Sequence, residues 1–246
     1  MFRQIVLTAV IAGVLAGVFA FGTHMLKAVP LIARAEVYEK AAPPATSAAA
    51  HGHAHAQTPA QTPAQTPATA EAEAWEPEDG LERALFTLLA DVITGIGFAF
   101  ILVGAIAFRG RAVDAEQGLL WGLAGFAIFS AAPSLGLPPE LPGMAGDGLV
   151  ARQAWWLGTA IATAAGLGLL AFAGPRPLKA VGVALVLLPH LIGAPVHHAE
   201  VGPLPAILAA EFAAVSLVTA GLFWAVLGGL AGYLWPRLAR PAPLAA

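Results

Sequence analysis

The chain has 246 residues, of which 58% are hydrophobic and 11% are charged, and its formal net charge is −3. Soluble domains carry about 25% charged residues, so this composition indicates a membrane protein, and the lack of excess basic charge argues against a nucleic-acid partner. Cysteine is absent, which excludes disulfides and thiolate chemistry and leaves His, Asp, Glu, Met and backbone oxygen as metal ligands.

Six stretches are long and apolar enough to cross a bilayer as helices, which takes about 20 residues each. They cover residues 4–29, 84–108, 117–136, 154–173, 178–196 and 204–234. The sequence therefore predicts an all-α fold, a polytopic membrane helix bundle with about six transmembrane helices. We divide it into a first transmembrane helix (1–32), a long outer loop (33–80) and a five-helix bundle (81–240).

The first and last spans carry pairs of glycines four residues apart. Gly13 and Gly17 lie in the first span, and Gly228 and Gly232 lie in the last. Such small residues let helix backbones approach closely in lipid. The pattern predicts either packing within one bundle or a seam for a partner subunit.

The distribution of lysine and arginine predicts the orientation, because these residues are enriched in cytoplasmic loops. Seven lie on the side of both chain ends, namely Arg3, Arg109, Arg111, Arg176, Lys179, Arg237 and Arg240. Five lie on the opposite side, namely Lys27, Arg34, Lys40, Arg83 and Arg152. We therefore expect both termini to be cytoplasmic and the long loop to lie outside.

The outer loop has a low-complexity composition. Residues 41–74 are almost all Ala, Pro, Thr, Gln, Ser, Glu and His, with repeats of QTPA, so we expect an extended, disordered linker. Three histidines alternate within it: His51, His53 and His55. Imidazole binds divalent transition metals. The motif predicts either a labile antenna that raises the local metal concentration or a polar spacer with incidental histidines.

Ionisable residues at membrane depth are costly and are candidates for function. Asp91 and Glu211 each lie seven residues into a span that runs inward, about 10 Å below the outer surface. Every histidine lies in the outer half or outside. We predict a divalent-metal site with four coordinating residues, Asp91, Glu211, His24 and His190, and a mouth formed by His197, His198 and Glu200. The alternative is that each carboxylate only hydrogen-bonds a neighbouring helix.

Prolines interrupt the third and fifth predicted spans. The third span ends in APSLGLPPELPG, and Pro189 and Pro195 fall in the fifth. Freed backbone carbonyls line ion sites in transporters with broken helices. The simpler interpretation is a Pro-rich loop at a helix end.

Four segments occur in order along the chain, WEPEDGLER (75–83), LLWGLAGF (119–126), APSLGLPPELPG (132–143) and RQAWW (152–156), after an opening MFRQIVLTAVIAGVLAGV. Together they resemble the CbtA family of predicted cobalt transporter subunits. The resemblance implies a bacterial inner-membrane protein linked to cobalamin supply. It also implies a partner, CbtB, a small membrane protein with one span and a His-rich end. It supplies no set of metal ligands.

We therefore predict a protein that moves Co²⁺, or a subunit of such a transporter; the same ligands accept Ni²⁺ and Zn²⁺. The main alternative is a membrane accessory or sensor that binds metal without conducting it. A third is a membrane enzyme with a His/Glu metal centre. The sequence contains no H-E-x-x-H spacing, so we predict no enzymatic activity and no prosthetic group.

Overall fold

The computed structural model describes residues 1–41, 77–141, 144, 148–195 and 204–239. Within these residues every regular element is a helix. The elements are α1 (Phe2–Thr23), α2 (Val29–Ala41), α3 (Leu81–Arg109), α4 (Ala115–Phe126), α5 (Ala132–Ser134), α6 (Leu149–Phe172), α7 (Arg176–Ile192) and α8 (Ala206–Arg237). Two π-helical turns, His24–Ala28 and Ala127–Ala131, join α1 to α2 and α4 to α5 without a break. The predicted all-α membrane bundle is confirmed.

Four helices in the described part of the chain are long and apolar enough to cross a membrane. They are Phe2–Tyr38, Leu81–Arg109, Leu149–Phe172 and Ala206–Arg237. The other two predicted spans are also helical, as α4 to α5 and as α7. The number of crossings, six, stays a prediction.

The first helix is longer than the sequence suggested. We placed the start of the outer loop at residue 33, whereas α2 continues to Ala41. Its segment ARAEVYEKA is rich in residues of high helix propensity, and Leu31 and Ala35 are buried against Leu141 and Leu208. Packing at Leu31 and Ala35 and helix propensity therefore favour a helix that continues beyond residue 33. His51, His53 and His55 lie outside the described residues.

Two glycine seams join α1 to α3 and α4 to α8, and Gly166 and Gly182 form a third close contact between α6 and α7. In the first, a Cβ at Gly13 would lie 2.5 Å from Ile96 Cα, and one at Gly17 would lie 2.6 Å from Val92 Cα, so α1 packs on α3 through its backbone. The second seam joins α4 to α8 through Gly118, Gly122, Gly228 and Gly232. Both glycine pairs noted in the sequence thus pack within one bundle.

The core lies between α1, α3, α4 and α8, while α6 and α7 form a hairpin beside it. Small side chains of α1, among them Ala12 and Ala16, are fully buried against Val103 and Leu227. The Gln4 side chain donates a hydrogen bond of 2.7 Å to the Trp235 carbonyl. The beginning of α1 and the end of α8 therefore lie at the same end of the bundle.

Candidate functional site

A cavity of about 470 Å³ lies between the first helix, α3 and α8. Along α3 it extends from Arg83 to Phe98, which is about 22 Å at 1.5 Å per residue. Its polar lining consists of His24, Arg83, Thr87, Asp91, Thr94, Ser130, Ser216 and Thr219. Ionisable and hydroxyl groups are thus concentrated inside an apolar bundle.

His24 and Asp91 form the central pair of the cavity. His24 Nδ1 lies 3.0 Å from Asp91 Oδ2 and 3.1 Å from Oδ1, and the Asp91 side chain is only 14% exposed. Beside an ionised carboxylate, which can only accept, Nδ1–H would be the donor and Nε2 would be free to bind a metal. A histidine oriented by a carboxylate in this way is typical of metal sites.

The position of His24 follows from a π turn. The Val29 N–H bonds to the His24 carbonyl, five residues back. Pro30 follows directly; it has no N–H, and its ring would collide with the carbonyl four residues before it in a regular α-helix. The wider turn accommodates this proline and places His24 at the cavity.

The second π turn repeats this arrangement across the cavity. The Ala132 N–H bonds to the Ala127 carbonyl, and Pro133 follows. Ser130, within the turn, lines the same cavity as His24. Turns of this kind are frequent at functional sites. Two independent irregularities therefore meet at one place.

The hydroxyl groups offer oxygen ligands. Thr87 Oγ1 donates to the Arg83 carbonyl over 2.8 Å, and Thr219 Oγ1 donates to the Val215 carbonyl over 2.9 Å. A hydroxyl whose hydrogen is bonded to the backbone keeps its lone pairs free to accept or to coordinate. These groups can bind a cation or the water around it.

Arg83 lies at one end of the cavity and joins two helices. It forms ion pairs with Glu36 of α2 and with Asp79, the latter at 2.9 Å. The two carboxylates offset a positive charge that would repel a cation. Asp91 is the carboxylate in the described lining of the cavity, and it faces His24.

Aromatic rings close the opposite end. The ring centroids of Phe98 and Trp224 are 4.9 Å apart, and Phe129 stacks on Trp224 at 5.6 Å. Phe98 and Trp224 line this cavity, whereas Phe129 and Trp224 line another on the far side. The cluster therefore separates the two.

The structure does not bring the four predicted coordinating residues together. Glu211 is exposed and does not line the cavity, although its neighbour Phe212 does. His190 lies on α7, with its ring 6.2 Å from that of Trp155. In the described part of the chain no group of three or more His, Asp or Glu side chains is placed to hold a metal ion. Only His24 and Asp91 meet.

Depth alone could not predict this outcome. Adjacent residues on a helix differ by about 100° in direction, so two carboxylates at equal depth need not face the same space. The predicted mouth residues His197, His198 and Glu200 lie outside the described residues. Their role stays a prediction.

The Pro-rich segment after α5 folds over one end of the bundle. Leu141 is 2% exposed and packs with Leu31 and Leu208, and Glu140 pairs with Arg152. No described residue of this segment lines the cavity. This segment is therefore a loop that anchors a helix end. In the fifth predicted span, α7 continues through Pro189.

The spacing of residues along α3 marks the face of this helix that lines the cavity. Arg83, Thr87, Asp91, Thr94 and Phe98 recur at helical spacing of three or four residues, and all of them line the cavity. A polar stripe on an otherwise apolar helix marks the face that turns away from lipid.

The family model described as "Probable cobalt transporter subunit (CbtA)" matches residues 2–236. This range includes every helix that forms the cavity. No curated protein and no solved structure matches the chain.

Proposed function

The chain belongs to the CbtA family of probable cobalt transporter subunits, and from this premise we propose that it takes Co²⁺ across the bacterial inner membrane, for cobalamin supply. The observation that supports the route is the His24–Asp91 pair inside a cavity at membrane depth. Imidazole and carboxylate are ligands that Co²⁺ accepts.

The charge of the pair favours a cation. A carboxylate within a transmembrane helix costs about 3 kcal/mol at the centre and less near the end. A divalent ion bound at His24 Nε2 and near Asp91 offsets that cost, and the hydroxyls of Thr94 and Ser216 supply further oxygens. Ni²⁺ and Zn²⁺ accept the same ligands, so they are the competitors to test.

Residues of the outer loops complete the proposal. His197, His198 and Glu200 would receive the ion at the mouth, and the histidines of the long outer loop would collect it. These roles rest on the sequence pattern. The word subunit in the family description supports a partner, which we propose to be the small single-span protein CbtB. Both termini would be cytoplasmic.

One observation favours a second candidate, a metal-binding accessory or sensor that does not conduct. The aromatic cluster of Phe98, Phe129 and Trp224 closes the cavity at one end. A closed cavity binds an ion without passing it on. Uptake of radioactive Co²⁺ into proteoliposomes made from this chain alone separates the two: accumulation that saturates supports transport, whereas binding without accumulation supports the accessory.

A pair of matched variants tests the site itself. Asp91→Asn keeps the shape but removes the charge beside His24, so we expect saturable uptake to be lost. Glu211→Gln makes the same chemical change on an exposed residue outside the cavity, so we expect uptake to stay near the wild-type level. The measurement is uptake in cells with equal amounts of each protein. Normal uptake by Asp91→Asn would show that the site lies elsewhere, and equal loss in both would restore the four-residue set.

A further inference from the structure

A second cavity, of about 760 Å³, lies at the other end of the bundle between α3, α4 and α6. Its lining is almost entirely apolar. Three of its residues are half-exposed: Ile101 is 53% exposed, Leu120 is 61% and Leu123 is 44%. The cavity is therefore a groove that opens to the surface of the bundle, where lipid surrounds a membrane protein.

The length of the groove matches one leaflet. On α3 it runs from Ile101 to Arg109, and on α4 and its π turn it runs from Gln117 to Phe129. These distances are about 12 and 18 Å at 1.5 Å per residue. Half of a hydrocarbon core of about 30 Å is about 15 Å. The groove thus extends from the membrane surface to about the midplane, where Trp224 closes it.

The surface end of the groove carries a positive charge. The Arg109 guanidinium lies 4.9 Å above the Phe172 ring, and among the described residues no carboxylate lies within ion-pair distance of it. The same end of the bundle carries two acids, Asp114 and Glu116, against five further described basic residues: Arg3, Arg111, Arg176, Lys179 and Arg237. Asp114 caps α4 by accepting from the Gln117 N–H. The excess of positive charge at this end of the bundle favours the binding of an anion.

We propose that this groove binds an anionic phospholipid, with an acyl chain along α4 and the phosphate at Arg109. The lining is uneven: bulky side chains, those of Leu120, Trp121 and Phe172, stand beside small residues, among them Ala164, Gly168 and Ala171. A flexible acyl chain fills such an irregular apolar surface, and basic residues at a membrane surface recognise anionic headgroups.

The test uses the full chain in detergent after removal of lipid. Phosphatidylglycerol and phosphatidylcholine with identical chains are added, and bound lipid is counted by native mass spectrometry. We expect phosphatidylglycerol to bind more tightly. Arg109→Gln should weaken it about fivefold, the factor that corresponds to about 1 kcal/mol per basic residue near an anionic surface, and should weaken phosphatidylcholine less, because its choline offsets the charge of its phosphate.

A second variant fills the groove. Gly168 lines it, and a Cβ there would meet no atom within 4 Å, so Gly168→Phe occupies the space without a backbone clash. Gly158 lies on the same helix, is equally open and does not line the groove, so Gly158→Phe is the control. We expect only Gly168→Phe to lose bound lipid. Equal lipid retention by both variants would overturn the proposal, as would equal binding of the two lipids. A change in oligomeric state with unchanged lipid would show that a second copy covers the groove.

Discussion

Replacing Gly17 by alanine tests the link between helix packing and the metal pair. A Cβ at Gly17 would lie 2.6 Å from Val92 Cα and 2.7 Å from the Asp91 carbonyl oxygen. Both are backbone atoms, so no side-chain rotation relieves the contact. Because ordinary contact begins at 3.4 Å, α1 and α3 must separate by about 0.8 Å, at the residue that pairs with His24.

The magnitude follows from two opposing terms. Overpacking of a well-packed interior costs about 1–3 kcal/mol, whereas alanine gains up to about 1 kcal/mol over glycine in helix propensity. Gly22 lies on the same helix, and a Cβ there would meet no atom within 4 Å. Gly22→Ala therefore gains the propensity term alone. We expect Gly17→Ala to be less stable than this control by about 1–3 kcal/mol.

The same displacement acts on the cavity. Unrelieved, a separation of about 0.8 Å lengthens the His24–Asp91 contact from 3.0 Å to about 3.8 Å, beyond the range of a hydrogen bond. We expect the half-saturating Co²⁺ concentration to rise in Gly17→Ala and to stay unchanged in Gly22→Ala.

Two measurements test the expected loss of stability and the expected rise in the half-saturating Co²⁺ concentration. Helical circular dichroism during titration of micelles with dodecyl sulfate gives the free energy of unfolding, and uptake at graded Co²⁺ gives the half-saturating concentration. The reasoning is refuted if the two alanine variants unfold at the same detergent composition.

Three further predictions concern topology, the outer loop and the bundle end. A cysteine introduced as Ala56→Cys should react with an impermeant maleimide from outside, and one introduced as Ala112→Cys should react only after lysis; the reverse pattern would invert the orientation. Deletion of residues 45–70 should leave folding intact and should lower uptake at limiting metal only, so loss at saturating metal would place the loop on the route. Leu141→Ala should cost about 2–5 kcal/mol because Leu141 is buried, whereas Leu135→Ala, at a residue that is 78% exposed, should stay within about 0.5 kcal/mol; equal unfolding of the two would argue against the anchoring role of the loop.

The fold class was predictable because hydropathy reports burial in lipid directly. Spans placed from composition alone agree with α3 and α8 to within a few residues. The glycine pairs also identified contact faces, because close backbone approach in lipid requires small residues. Composition could not identify the helix that each glycine face contacts, so both packing within the bundle and a subunit seam stayed open.

The site was only partly predictable. Depth and chemistry identified His24 and Asp91, which meet. The same criteria also selected Glu211 and His190, which lie on other faces or on the hairpin of α6 and α7. The direction in which a side chain points from a helix depends on every turn before it. A π turn changes that direction, and hydropathy does not reveal it. Pro30 and Pro133, each two residues after the end of a π turn, were the residues that marked such turns.

The π turn of the first helix determines the direction of every side chain that follows it in that helix. It inserts one residue into the helical ladder, and one residue corresponds to about 100° of rotation. Before the turn, Gly13 faces α3; after the turn, Leu31 packs toward α8. Loss of a single residue from His24–Ala28 would remove this insertion and would turn Glu36 by about 100°, away from Arg83. The inserted residue therefore turns every later side chain of the first helix, and it sets the directions in which Leu31 packs on Leu208 and Glu36 meets Arg83.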